Sequence, residues 1–124
     1  MNWTTICQYH RTPPIQPLSR TDEIQSAYDL AMAKFAKDGV AISDHIVQTV
    51  FPKGKLWTLV PNKYPYNCAK GIRHCILWFR GEICPDSVLS DLGHSTYIYF
   101  ENTPGNRSVK DLRHMHVFIK DNDQ

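Results

Sequence analysis

His114-Met-His-Val-Phe-Ile-Lys120 is the stretch on which the fold turns. Its apolar residues are largely β-branched or aromatic, and no helical stripe fits them, so it reads as a strand. Alternate side chains of a strand share a face. His114, His116 and Phe118 therefore fall on one side, and Met115, Val117 and Ile119 on the other. Along one face, successive side chains stand about 7 Å apart. Two imidazoles at that spacing can clamp a phosphate, share a metal, or divide nucleophile and acid roles. The plain alternative is one hydrogen-bonded core histidine and one exposed one.

Upstream, three further runs have the same grammar. Lys55-Leu-Trp-Thr-Leu-Val60 ends at Pro61, His74-Cys-Ile-Leu-Trp-Phe79 places His74 on the face of Ile76 and Trp78, and Thr96-Tyr-Ile-Tyr-Phe-Glu101 runs into the turn cluster 102–106. Before the strands, Thr21 is a good N-cap. Ile24, Ala27, Tyr28, Ala31 and Phe35 follow at helical spacing, and Gly39 is placed to end the helix. A second helix is expected after Ser43, carrying Ile46, Val47 and Val50, and a short one over 85–92 with proline in its first turn. Ser108 and Asp111 form a capping box for a single helical turn. Pro13, Pro14 and Pro17 predict an extended N-terminal arm over residues 1–20. The expected architecture is one α+β domain over residues 21–120, a mostly antiparallel sheet of four or more strands with helices on one face, followed by a polar tail over 121–124.

Composition narrows the function classes. A chain of 124 residues has room for one core, and 42% hydrophobic residues suffice to form it without staples. A net charge of +2, with the basic residues scattered, argues against a nucleic-acid surface. No run approaches the length of a membrane span, and no leader pattern is visible, so an intracellular location with reduced thiols is expected for Cys7, Cys68, Cys75 and Cys84. Cys7-Gln-Tyr-His10 has metal-like spacing but lacks a second half. No phosphate-binding glycine loop and no nucleophile elbow occurs, and no cofactor is expected.

Polar residues collect at strand ends. His74 opens one strand, Asn62, Tyr64 and Tyr66 lie in the loop after another, Asn102 ends a third, and Arg107 and Ser108 precede the last. If they converge, they suit a small phosphorylated, nucleotide-like ligand. Turn chemistry for the asparagines and capping for Ser108 are the structural alternatives.

Four segments resemble one uncharacterised domain family, named for the fungal N-acetylglucosamine-induced protein: Leu56-Trp-Thr-Leu-Val-Pro-Asn-Lys-Tyr-Pro-Tyr66, Gly71-Ile-Arg-His-Cys-Ile-Leu-Trp78, Phe100-Glu-Asn-Thr-Pro-Gly-Asn-Arg-Ser-Val109 and His114-Met-His-Val117. The resemblance covers roughly residues 43–120, with Lys63 where that family usually carries Asp, and it implies kinship with fungal and large-virus proteins but no activity. More loosely, the order is similar to the histidine-triad superfamily, with Pro65, His74, Asn102, Ser108, His114 and His116 in its places. The stretch after Ser108 is longer than usual there, and either Phe118 or Leu112 stands where a triad histidine belongs. That resemblance implies a phosphoester or phosphoanhydride hydrolase or transferase acting on a nucleotide or sugar nucleotide, with His114 and His116 catalytic. Two other readings stay open: a non-catalytic module binding a nucleotide-like ligand or a protein partner, and a metal-dependent hydrolase using His74, His114 and His116.

Overall fold

The computed structural model describes residues 1–16, 18–40, 45, 55–102 and 113–121. Four strands, β1 (Trp57–Pro61), β2 (Ile72–Phe79), β3 (Tyr97–Phe100) and β4 (Arg113–Lys120), form one sheet in the order β1-β2-β4-β3. Every neighbouring pair is antiparallel. β4 is therefore central although it comes last in sequence. Its register sets Trp78 opposite His114, Ile76 opposite His116 and His74 opposite Phe118.

The two sides of the sheet carry two separate apolar clusters. Cys75, Leu77 and Phe79 of β2, Tyr99 of β3, and Val117 and Ile119 of β4 pack with Val88 and Leu89 of helix α3 (Pro85–Asp91). On the opposite side, Ile98, Phe100 and Phe118 pack with Tyr66 and with Ile6 of helix α1 (Trp3–Cys7). Helices thus lie on both faces, not on one. The difference comes from the N-terminal arm, which is not extended throughout. The Asn2 side chain accepts from the Thr5 N–H at 2.8 Å and caps a helical turn. That turn drives Ile6 into complete burial beneath the sheet. The prolines begin only after it.

Helix α2 (Asp22–Asp38) matches its expected caps. The Thr21 hydroxyl accepts from the Ile24 N–H, and Gly39 closes the helix at φ 68°, a left-handed conformation that glycine adopts without strain. The helix expected after Ser43 and the capping box at Ser108 lie outside the described residues.

The edge strand β3 is not left bare. The Tyr99 N–H donates to His10 Nδ1 at 3.2 Å, and the Arg11 N–H donates to the Tyr99 carbonyl at 2.7 Å, so the arm covers the exposed edge. His10 thereby has one ring nitrogen engaged with backbone. The hydroxyls of Tyr97 and Tyr99 both donate to the Asp86 carboxylate, at 2.8 and 3.0 Å, and tie α3 to the same strand. Burial and the bond to this carboxylate push the Tyr97 phenol up to about 12.

Candidate functional site

The alternation of β2 and β4 delivers His74, His114 and His116 to the α1 side of the sheet, all three only 5% exposed. His74 and His116 are diagonal neighbours across the β2–β4 pair and meet directly, with His74 Nε2 2.8 Å from His116 Nδ1. The ring of His114 lies 5.7 Å from that of His116 and 4.7 Å from the Trp78 ring opposite it.

The loop after β1 folds back over this pair. Pro61 ends the strand, and the Asn62 side-chain oxygen accepts from the Tyr64 N–H at 2.8 Å, the Asx turn expected of asparagine there. With the oxygen committed to the turn, the Asn62 amide nitrogen faces the His74 ring, 3.3 Å from Nδ1 and 3.4 Å from Nε2. The Tyr66 N–H donates to Nδ1 at 3.0 Å. The Tyr66 ring then stacks on His74 and on His116, at 4.6 and 5.1 Å between centroids. Phe118 also stacks on His74, 4.4 Å between centroids. Beyond β3, the Asn102 amide is 3.0 Å from His116 Nε2, and it also bonds the Tyr66 hydroxyl.

One member had no signal in the sequence. Arg20, from the arm, donates through Nε to the Tyr64 carbonyl at 2.8 Å. Its guanidinium lies 4.3 Å from the Tyr28 ring and 5.0 Å from the Tyr66 ring. Among the described residues it has no carboxylate partner, since the ion pairs are Arg73 with Asp121 and Arg113 with Glu101. No periodicity or spacing links Arg20 to a loop more than forty residues away; only the folded arm does.

This setting keeps His74 and His116 neutral. Burial drives His74 well below its usual value, helped by the His116 ring and the Arg20 charge. Burial likewise lowers His116 to about 3, with His114 and Arg20 adding to the effect. Burial raises the Tyr66 phenol, against the pull of Arg20.

The structure brings together His74, His116, Asn62, Tyr66 and Asn102, with Tyr64 contributing its backbone and His114 adjoining. Arg107 and Ser108 lie outside the described residues. Among the described residues no group of three or more histidine, cysteine or acidic side chains is arranged to hold a metal. Glu101, the nearest acid in sequence, instead receives Arg113 through two bonds of 3.2 and 3.0 Å.

The chain belongs to the family Protein of unknown function (DUF3605). The DUF3605 match runs over residues 2–96, so it takes in the arm, Arg20, the loop after β1 and β2, and stops before β3. That extent reaches further toward the N-terminus than the four quoted segments and leaves His114 and His116 outside it. The crystal structure of HTC1 shares the fold, with a TM-score of 0.72 over 96% of this DUF3605 chain and 84% of that one, at 19% identity. No curated protein matches the sequence. The histidine-triad likeness finds no support in these comparisons.

Proposed function

We propose that this chain binds a small phosphorylated, nucleotide-like ligand where Arg20, Asn102 and His116 gather around Tyr66. The observation that carries this reading is the half-buried Arg20 guanidinium, fixed through Nε and two aromatic faces and without a carboxylate among the described residues. A guanidinium so held presents a planar donor fork suited to phosphate. Its neighbours add amide groups and neutral imidazoles and contribute no negative charge. An anion is the ligand class that complements such a set.

Thermal unfolding with inorganic phosphate and with adenosine monophosphate tests the proposal. Stabilisation by either ligand in the wild type, lost in Arg20→Gln, is the expected result. Absence of any shift, or the same shift in both proteins, overturns it.

A catalytic version, a hydrolase or transferase of phosphoesters or phosphoanhydrides, has one observation in its favour: His114 and His116 lie 5.7 Å apart on one face. Turnover of nucleotide substrates that disappears in His114→Ala supports that version, and turnover unchanged by the substitution removes His114 from it. The four free cysteines fit an intracellular, reducing location for this activity.

A further inference from the structure

We infer that His74 is a positioning residue that fixes His116 as a hydrogen-bond donor through Nε2, so that the site reads acceptor groups and His116 is not a nucleophile. Its functional consequence rests on the ligand-binding reading above, whereas the polarity itself rests on distances alone.

The argument starts at the loop. The Tyr66 backbone N–H is a donor and nothing else, and it lies 3.0 Å from His74 Nδ1. The Asn62 amide, held with its oxygen in the Asx turn, sets its nitrogen 3.3 Å from Nδ1 and 3.4 Å from Nε2, so it does not choose between them, and the Tyr66 N–H decides. The Tyr66 N–H on Nδ1 requires a lone pair there. A neutral His74 must then carry its proton on Nε2. That proton lies on the 2.8 Å contact to His116 Nδ1, which becomes the acceptor. His116 in turn carries its proton on Nε2, toward the Asn102 amide 3.0 Å away. Asn102 therefore presents Oδ1 to the imidazole, an orientation reached by half a turn of the amide.

The reverse polarity fails at its first step. A proton on His116 Nδ1 needs a lone pair on His74 Nε2. His74 would then either hold its proton on Nδ1, facing the Tyr66 N–H, or lose both protons and become an imidazolate. Neither state is compatible with the loop as it stands. As long as the His74–His116 bond persists, His116 Nε2 bears a proton and has no lone pair with which to attack phosphorus or hold a metal. A nucleophilic role on this face falls to His114. A phosphate oxygen in place of the Asn102 oxygen meets a donor already aimed at it, whereas a cation meets repulsion.

Long-range proton–nitrogen correlation spectra of the whole chain, labelled at histidine nitrogens and recorded without ligand near neutral pH, read the tautomers directly. The expected result is Nε2 protonated and Nδ1 bare in both His74 and His116. A protonated Nδ1 on either ring overturns the inference. His74→Gln, whose amide retains a donor near the Nε2 position, should leave the His116 tautomer unchanged, and His74→Phe should release it into a mixture of both forms. An unchanged His116 signal in His74→Phe also overturns the inference, and the wild-type spectrum decides the polarity if that variant does not fold. Titration of the same wild-type sample with inorganic phosphate separates the two proposals. The expected tautomers without phosphate binding leave the polarity standing and remove the ligand reading. Phosphate binding with Nδ1 protonated does the opposite.

Discussion

At the scale of single residues, burial of two imidazoles couples the fold to acidity. His74 and His116 titrate below the ordinary value of 6.5 in the folded chain, whereas the unfolded chain titrates near it. Between 6.5 and the folded value, which for His116 is about 3, the unfolded state binds protons that the folded state refuses. Stability is therefore full above that window and declines as pH falls through it, with a slope of up to about 1.4 kcal/mol per pH unit for each histidine. Denaturant titrations stepped from pH 7.5 down to about 5 check this, because the depressed Asp86 carboxylate does not yet titrate in that range. A flat profile there contradicts neutral buried histidines. The neighbouring Phe118, fully buried and stacked on His74, should cost about 3–5 kcal/mol when replaced by Ala, read from the same denaturation curves.

Among elements, α2 shows how much local chemistry decided. Its start and stop follow from the Thr21 cap and the left-handed Gly39, both legible in the sequence. Thr21→Ala should lower stability by about 1 kcal/mol in an unfolding measurement, and Thr21→Ser should restore most of it. The strands were legible for a comparable reason: apolar alternation and flanking prolines fixed their extents to within two residues at each end. The alternation also put His74, His114 and His116 on one face. Three things were not legible. The helical turn at Trp3–Cys7 depends on the Asn2 cap and on the packing of Ile6 with Ile98, Phe100 and Phe118, and the second condition exists only in the folded sheet. Arg20 enters the site because the arm crosses the Tyr64 carbonyl, a contact without local sequence signal. The polarity of the histidine pair depends on the Tyr66 N–H that the loop aims at Nδ1, and that needs atomic distances.

For the whole molecule, the arm is as much a part of the architecture as the strands. It covers the β3 edge through His10 and Arg11, supplies Ile6 to one core, and is bound to the loop after β1 by the bond from the Ala69 N–H to the Met1 carbonyl. Removal of residues 1–12 should therefore expose an edge strand and part of a core together. The truncated chain is expected to melt at lower temperature and to associate at concentrations where the intact chain does not, as seen by calorimetry and light scattering. An unchanged melting temperature would show the arm to be dispensable. Among the described residues no helix is long and apolar enough to cross a membrane.

The central position of β4 has a consequence for which changes in length the chain tolerates. Its odd positions fill one core and its even positions carry the imidazoles of the other side. One extra residue inserted within β4 would invert every side chain beyond it, setting Val117 and Ile119 among the polar groups and Phe118 against α3. Two extra residues restore the alternation. Parity, more than the size of an insertion, decides whether this strand still reads in frame.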